Sequence, residues 1–213
     1  MGKIKILTIV DMQNDYMEGG PMAISGANSL IPTINEIISN GEYDAIIATQ
    51  DWHPSNHISF ASIHNKEPFT NVKVVNQETG DEDYLTLWPR HCVARTYGSA
   101  IVDGLKRQKD YIYVQKGVDS DDDGLSGFSY MHKEFIDAAR DNKEVLILDF
   151  VGVALDGCVY HTAKDTAIYV SNISAEYLVS VNVLQYACAA INEENVDKLY
   201  DGTYNINLKK VML

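Results

Sequence analysis

Cys158 is the residue whose setting most clearly suggests chemistry. It follows the apolar run 145–148 and the glycine-containing stretch 151–157, so that a predicted strand leads to Cys158 at the start of a predicted helix. Backbone N–H groups and the helix dipole at such a position favour a thiolate and lower the pKa of a cysteine from its free value of about 8.5. Cys158 is therefore a candidate nucleophile. The alternative is a small buried apolar side chain, which is what an isolated cysteine most often is.

Polar residues also stand at the ends of the other predicted strands. Asp11 ends the first strand, Asp51 and His53 follow the second, and Lys116 follows the third. In open α/β sheets, ligands bind beyond the carboxyl ends of the strands, where the strand order reverses. We therefore expect these strand ends and Cys158 to meet at one edge of a sheet. Such a meeting favours an enzyme over a set of independent surface residues.

Cys158, Lys116 and Asp11 are the residue types that nucleophilic catalysis requires. The lysine ammonium would stabilise a thiolate, and the carboxylate would accept the thiol proton and return it to the leaving group. The small residues at 152–157 would let the N–H groups of Ala154 and Cys158 converge on a developing oxyanion. Taken singly, Lys116 could equally be a solvated surface charge and Asp11 a turn residue.

A second candidate site consists of metal-type ligands. Asp51, His53 and the more distant His91 supply one carboxylate and two imidazoles, a set that suits Zn, Fe or Mn and leaves coordination positions open. His57 is a further candidate, but the intervening proline argues against two imidazoles on one helical face, so His57 is either a supporting or a structural residue. Cys92 is left out, because in an extended chain it should point away from its neighbour His91.

Other motifs give weaker signals. Asp119, Asp121 and Asp123 imitate the start of a calcium-binding loop, but its twelfth position is Tyr130 rather than Glu, so calcium binding is not expected. No nucleotide-binding fingerprint is present, and no nucleotide cofactor is expected. Three aromatic residues are candidates for the walls of a flat substrate pocket, although an aromatic near a strand end is more often core: Tyr16, Trp88 and Phe128.

The elements that must position these residues alternate along the chain. Short runs rich in β-branched residues predict strands, and amphipathic stretches predict helices. The predicted strands are residues 4–10, 44–49, 111–115, 145–150, 176–183 and 204–208, and the predicted helices are residues 28–39, 99–108, 129–140, 158–170 and 192–200. The pattern predicts an α/β fold: a single doubly wound three-layer domain with a mostly parallel, about six-stranded sheet and helices on both faces. Residues 51–95 have no clear period and are interpreted as functional or partly structured.

Composition limits the range of partners. The chain has 213 residues and no obvious linker, so we expect one domain over residues 1–213. A net charge of −13 argues against nucleic acid and against an anionic membrane surface. Three cysteines form no disulfide framework, and no targeting or spanning segment is evident, so a cytoplasmic location is expected. The oligomeric state, including a homo-oligomer, stays open.

Several motifs occur together in one order: Asp11 to Tyr16 (DMQNDY), Asp51 to Pro54 (DWHP), Leu87 to Cys92 (LWPRHC), Lys116-Gly117, Leu125 to Phe128 (LSGF) and Val151 to Cys158 (VGVALDGC). Together they resemble the nicotinamidase (pyrazinamidase) family of isochorismatase-like cysteine hydrolases. The resemblance runs from Asp11 to about Thr166, with a weaker continuation to Asn195. Any one motif is modest, whereas the ordered set is specific.

The resemblance implies a reaction and a site. The family converts nicotinamide and water to nicotinate and ammonia through a thioester, also acts on pyrazinamide, and serves NAD salvage. It implies one divalent metal ion, zinc before iron or manganese, that orients the pyridine ring and supplies bound water. The implied roles are a triad of Asp11, Lys116 and Cys158, metal ligands Asp51, His53 and His91, an oxyanion hole of Ala154 and Cys158, a ring held between Tyr16 and Trp88, and a cis peptide bond between Val153 and Ala154.

Leu125 departs from the family pattern, because many relatives carry Tyr there, so one wall of the pocket is expected to be less polar. Three alternatives stay open. The first is another amide or carbamoyl hydrolase that uses Cys158 without the metal, which the Asp51, His53 and His91 set disfavours. The second is isochorismatase itself, whose vinyl ether chemistry does not need a nucleophilic cysteine. The third is a non-catalytic metal-binding or scaffold protein, since fold alone does not establish function.

Overall fold

The structure is a computed structural model that describes residues 2–75, 82–106, 111–175 and 178–211. Short 3-10 turns lie at Asn14–Tyr16, Ala61–Ile63 and Glu193–Asn195. Within these ranges the helices and strands are β1 (Lys3–Val10), α1 (Ala27–Asn40), β2 (Ala45–Asp51), β3 (Asn71–Val75), β4 (Glu82–Thr86), β5 (Tyr111–Lys116), α2 (Tyr130–Asn142), β6 (Val145–Val153), α3 (Cys158–Asn172), β7 (Val179–Ala189), α4 (Val196–Leu199) and β8 (Ile206–Lys209).

Six of the described strands form one parallel sheet in the order β5-β2-β1-β6-β7-β8. α1 packs on one face against β6 and β7, while α2 and α3 pack on the other. The strand order reverses between β1 and β6, which is the topological switch point of a doubly wound sheet. The predicted α/β three-layer fold is confirmed. No helix in the described ranges has the length and apolarity needed to cross a bilayer.

Burial on both faces explains why the central strands are continuous apolar runs. In β1, Leu7 and Ile9 belong to the apolar core on the α1 side, whereas Ile6 and Val10 belong to the core beneath α2 and α3. All four side chains are fully buried. A strand covered by helices on both faces shows no alternation of polar and apolar residues, because both sets of side chains lie in a core.

Three predicted elements differ from the structure. Residues 99–106 form turns rather than a helix, because their backbone pairs with the segment after β1: Asn14 N–H donates to Ala100 O at 3.1 Å and Val102 N–H to Met12 O at 2.9 Å. Residues 107 and 108 lie outside the described residues, as does residue 176. β7 continues to Ala189, with a register shift opposite Phe150 and Gly152. The helix predicted at 192–200 is a 3-10 turn followed by the single turn α4.

Residues 51–95 are partly structured. β3 and β4 pair as an antiparallel hairpin apart from the main sheet, and isolated bridges join His53 to Val93 and Phe60 to Trp88. Leu87, Ala61 and Leu85 form a small apolar cluster beneath the hairpin. Trp88 and His91 of this region lie around the same cavity as Lys116 and Cys158, so part of the region borders the carboxyl ends of the strands.

One buried histidine couples the stability of the fold to pH. Nδ1 of His132 accepts the Ser129 N–H at 3.2 Å, and Nε2 lies 3.1 Å from Thr8 Oγ1. Burial lowers the pKa of His132 to about 4 from 6.5. Because the unfolded chain binds this proton at a higher pH than the folded chain does, the free energy of unfolding should fall as the pH drops from about 6.5 to 4, by up to about 3 kcal/mol.

Urea unfolding at pH 7 and pH 4.5 tests this coupling. We expect His132→Gln to remove part of the wild-type loss of stability between the two pH values. His64→Gln is the control, because His64 is partly exposed and its Nε2 lies 2.6 Å from the Ile58 carbonyl near the surface. If His132→Gln and His64→Gln lose the same stability on acidification as the wild type, the coupling through His132 is wrong.

Candidate active site

Four strand ends bring the predicted residues to one edge of the sheet. Asp11 follows β1, Asp51 ends β2, Lys116 ends β5 and Cys158 begins α3 just after β6. Asp51 and Lys116 are direct partners in the β2–β5 register. Asp11 and Cys158 lie on either side of the switch point between β1 and β6. The structure therefore brings all four residues together, as expected from the positions of the strand ends.

Lys116 lies at the centre of this cluster. Its Nζ is 2.9 Å from Asp11 Oδ2 and 3.2 Å from Cys158 Sγ, contacts Asp51 Oδ1, and donates to the Gly124 carbonyl at 3.0 Å. Burial alone would lower the pKa of Lys116, but the carboxylates of Asp11 and Asp51 raise it well above its usual value. The side chain is therefore a permanent ammonium shared by the thiol and both carboxylates.

Asp11 is oriented by Thr49. Thr49 Oγ1 donates to Asp11 Oδ1 at 2.6 Å and accepts the Asp11 N–H at 3.2 Å. Apart from its ion pair with Lys116, Oδ2 has no hydrogen-bond partner among the described residues. Burial raises the pKa of Asp11 more than Lys116 lowers it. A carboxylate with a raised pKa, and with an oxygen that no hydroxyl or backbone N–H of the described residues occupies, is suited to accept a proton.

The pKa of the Cys158 thiol differs from the value that its position in the sequence predicts. The helix N-terminus predicts a lowered pKa, yet burial, with Asp11 and Asp51 nearby, raises the pKa of the thiol well above its ordinary value despite Lys116. The resting group is therefore a thiol that must give up its proton during the reaction. A carboxylate oxygen of Asp11 lies within 4.8 Å of Sγ, so the nearest acceptor is in place.

The loop before Cys158 contains the cis peptide bond between Val153 and Ala154 that the family resemblance implies. The N–H groups of Gly157 and Val159 donate to the Ala154 carbonyl at 2.9 and 3.0 Å, which folds the loop around Cys158. Gly152 allows this geometry: its φ is +113°, and a Cβ there would lie 2.1 Å from the Val10 carbonyl oxygen. Ala154 and Cys158 both border the cavity in front of the thiol.

Asp51, His53 and His91 form a second cluster. One ligand atom from each lies within 4.8 Å of the others, and all three side chains are buried. Nδ1 of His53 lies 3.0 Å from the Gly117 carbonyl and Nδ1 of His91 lies 2.7 Å from the Pro89 carbonyl. If each Nδ1 donates to its carbonyl, Nε2 of both rings is left as the ligand atom, as is usual for histidines that bind a metal.

The protonation states of this cluster also fit a cation. Burial alone would raise the pKa of Asp51, but Lys116 and His53 hold it well below its usual range, so the carboxylate is charged. Burial lowers the pKa of His91, which favours the neutral imidazole that metals require. The residues therefore suit one divalent metal ion. Asp11, Asp51 and Cys158 also lie within 4.8 Å of one another, but there Lys116 already supplies the positive charge.

His57 and Cys92 lie beside the metal-type cluster and outside it. The His57 ring packs on the His53 ring with centroids 3.9 Å apart, and its Nδ1 lies 2.7 Å from Ser59 Oγ. Cys92 has a φ of +46° rather than the extended conformation that the sequence suggests. Its N–H donates to Asp15 Oδ2 at 2.7 Å. Both residues support the neighbouring ligands His53 and His91.

A cavity of about 300 Å³ lies between the thiol and the metal-type cluster. Tyr16, Trp88 and Leu125 line it, but Phe128 does not. The Phe128 ring packs instead in the layer beneath α2 and α3, 5.7 Å from the His132 ring and 5.6 Å from the Tyr169 ring. The prediction of Phe128 as a substrate wall is therefore corrected.

Several lining residues were not predicted from the sequence: Met22, Ile24, Thr86, Asp123, Asp156, His161, Ile191 and Asn195. His161 had a usable signal, because it lies three residues after Cys158 and therefore on the same helical face. Gln13 is a further missed residue. Its amide brackets the Asp51 backbone, accepting the Asp51 N–H at 2.8 Å and donating to the Asp51 carbonyl at 2.8 Å.

A doubly wound parallel sheet that brings a cysteine, a lysine and an aspartate together at the carboxyl ends of its strands has the architecture of an α/β hydrolase with a thiol in its candidate active site. The chain belongs to the isochorismatase family, because the isochorismatase domain model matches residues 5–203.

Within this family, the chain is similar to nicotinamidases and pyrazinamidases. The chain is 35% identical over 176 residues to a nicotinamidase of Saccharomyces cerevisiae, covering 77% of this chain and 82% of the relative. The crystal structure of the yeast nicotinamidase bound to the inhibitor nicotinaldehyde matches with a TM-score of 0.82 and 30% identity over 98% of this chain and 100% of that one. The pyrazinamidase of Pyrococcus horikoshii in complex with zinc matches with a TM-score of 0.67 and 26% identity, covering 97% and 99% of the two chains.

Proposed function

We propose that this protein is a nicotinamidase, which hydrolyses nicotinamide to nicotinate and ammonia, accepts pyrazinamide as a second substrate, and serves NAD salvage. One observation carries the proposal: the Cys158 thiol, paired with Lys116 and Asp11, faces the same cavity as the Asp51, His53 and His91 set. The named relatives support the same reaction, since they are nicotinamidases or pyrazinamidases.

In the proposed acylation step, Asp11 takes the thiol proton while Cys158 Sγ attacks the amide carbon. Lys116 stabilises the developing thiolate at 3.2 Å, and the N–H groups of Ala154 and Cys158 hold the oxyanion. When the C–N bond breaks, the leaving amine takes the proton from Asp11 and departs as ammonia. A thioester between Cys158 and the nicotinoyl group remains.

In the proposed second step, Asp11 takes a proton from a water molecule that attacks the thioester carbon. The tetrahedral adduct collapses, the C–S bond breaks, and the proton on Asp11 returns to Cys158 Sγ. The product leaves with the oxygen of that water molecule as nicotinic acid, which loses its remaining proton to solvent and becomes nicotinate. Each step reuses the same carboxylate as base and then as acid, a role that the raised pKa of Asp11 favours.

Asp51, His53 and His91 would hold a divalent ion, which we propose to be zinc. When bound, such an ion supplies a Lewis acid to which the pyridine nitrogen can bind and so orients the ring. Tyr16 and Trp88 would enclose the two faces of that ring. In this arrangement the amide of nicotinamide would point toward Cys158, which lines the same cavity.

Ammonia release by the zinc-loaded enzyme tests the proposal. We expect turnover of nicotinamide and pyrazinamide, and at least about 100-fold lower kcat/KM for benzamide, which has the same shape but lacks the ring nitrogen. An acyclic carbamoyl compound and isochorismate serve as substrates for the alternative functions. Faster turnover of either than of nicotinamide would contradict the proposal, and equal turnover of benzamide would contradict the orienting role of the metal.

A further inference from the structure

Tyr16 contacts a metal-type ligand with a group that the proposed reaction does not use. Its ring lines the cavity, and its hydroxyl donates a hydrogen bond to Asp51 Oδ2. The other oxygen of Asp51, Oδ1, is held by Lys116. Oδ2 is the oxygen that faces the other ligands, since it lies 3.7 Å from Nε2 of His53. The phenol therefore contacts the oxygen best placed to bind the ion.

The turn that carries Tyr16 is anchored to the same part of the chain. Gln13, at the start of the Asn14–Tyr16 turn, holds the backbone N–H and carbonyl of Asp51, both at 2.8 Å. The Tyr16 N–H donates to the Gln13 carbonyl at 3.1 Å, and the Ile24 N–H donates to the Tyr16 carbonyl at 3.0 Å. One short turn thus fixes the backbone of Asp51 through Gln13 and its side chain through Tyr16.

The same turn reaches the segment after β4 that carries the third ligand, His91. Asp15 Oδ2 accepts the Cys92 N–H at 2.7 Å, next to His91 in the chain. The Tyr16 ring lies 5.7 Å from the His91 ring. Asp51 and His91 are distant in sequence, yet both are held by residues 13–16. The positions of these two ligands relative to each other therefore depend on this turn.

We infer that Tyr16 is a positioning residue for the metal site: its hydroxyl fixes the rotation of the Asp51 carboxylate so that Oδ2 faces the ion. Partners of this kind around a metal ligand typically change the affinity for the metal by about 10–100-fold. The inference rests on the proposed function only for the presence of a divalent ion at Asp51, His53 and His91. It does not depend on which amide the enzyme hydrolyses.

Tyr16→Phe tests the inference, because it removes the hydroxyl and keeps the ring that borders the cavity. The metal-free enzyme is titrated with Zn²⁺ against a chromophoric chelator, and with Co²⁺ while its visible spectrum is recorded. We expect about 10–100-fold weaker Zn²⁺ binding and an altered Co²⁺ spectrum. At saturating Zn²⁺ the KM for nicotinamide should change less than the affinity for the metal, since the ring is retained.

Tyr43→Phe is the matched control. The Tyr43 hydroxyl also donates to a buried carboxylate, Asp149 Oδ2, at 2.8 Å, but outside the residues that line the active cavity. It should therefore leave Zn²⁺ affinity unchanged. Thermal melting of the metal-free variants checks that each one folds.

The outcomes separate the two proposals. Wild-type Zn²⁺ affinity and Co²⁺ spectrum in a folded Tyr16→Phe would overturn the inference, whether or not the wild type hydrolyses nicotinamide. If the wild type binds Zn²⁺ tightly and Tyr16→Phe binds it more weakly, but the wild type does not hydrolyse nicotinamide, only the proposed function is overturned. Equal losses of affinity in Tyr16→Phe and Tyr43→Phe would also contradict the inference, because the effect would then be a general one of removing a buried hydroxyl.

Discussion

Cys158→Ala should release ammonia from nicotinamide at least about 10⁴-fold more slowly than the wild type, because no other described group in the cavity can form the thioester. The loss should fall on kcat. The substitution removes one sulfur atom and leaves the Asp51, His53 and His91 set intact, so calorimetry should still detect Zn²⁺ and nicotinamide binding. Ammonia release is followed with a coupled assay on zinc-loaded protein.

Cys188→Ser is the control for Cys158→Ala. Cys188 lies on β7, where its Sγ is 3.3 Å from the Leu184 carbonyl, and it does not line the cavity. We expect it to keep wild-type turnover. Substantial activity in Cys158→Ala would overturn the nucleophile assignment and favour direct attack by water on the amide.

Asp11→Asn should lower kcat for nicotinamide by about 10²–10⁴-fold, the range that general acid–base catalysis supplies. The fold should persist, because Thr49 can still donate to the remaining oxygen at this position and Lys116 still pairs with Asp51. Asp149→Asn is the control, since Asp149 is a buried carboxylate bound to Tyr43 and Asn182 outside the cavity lining. It should not change kcat beyond any effect of reduced stability.

The rate at which iodoacetamide alkylates Cys158 is a second measurement on Asp11→Asn, and we expect it to change in the direction opposite to kcat. Asp11 is one of the groups that raise the pKa of Cys158, so its neutralisation should lower that pKa and leave Lys116 more free to stabilise the thiolate. Alkylation at pH 7 should therefore become faster while amide hydrolysis becomes slower. If both rates fall together, the role of Asp11 as the base is not supported, and a structural role takes its place.

The positions of the site residues could be predicted from the sequence because a parallel sheet has a simple geometry. Asp11, Asp51, Lys116 and Cys158 each follow a recognisable apolar run, and all carboxyl ends of parallel strands lie at one edge. This prediction depends on the order of strands along the chain and not on any contact between side chains. Topology alone therefore brings these four residues to one edge of the sheet, whereas His91 comes from the segment after β4, outside the main sheet.

What could not be predicted depends on contacts between distant segments. Residues 99–106 have an amphipathic pattern, but their backbone pairs with the chain after β1 instead of forming a helix. Phe128 follows a glycine near the predicted active site, yet its ring packs against the apolar core beneath α2 and α3. The sequence around Phe128 does not indicate which of the two positions the ring occupies. The pKa of Cys158 depends on its burial and on Asp11 and Asp51, whereas the sequence indicated only the helix end.

The shared ammonium of Lys116 has a consequence for the charge balance of the whole site. Without an ion, two carboxylates, Asp11 and Asp51, face one ammonium, so the site is negative overall, and passing the thiol proton of Cys158 to Asp11 leaves that charge unchanged. A divalent ion held at Asp51, His53 and His91 would make the site positive overall and so favour a thiolate at Cys158. Formation of the Cys158 thiolate and binding of the ion are thus linked electrostatically through Lys116. We expect the thiolate to form readily only when the ion that orients the substrate ring is bound.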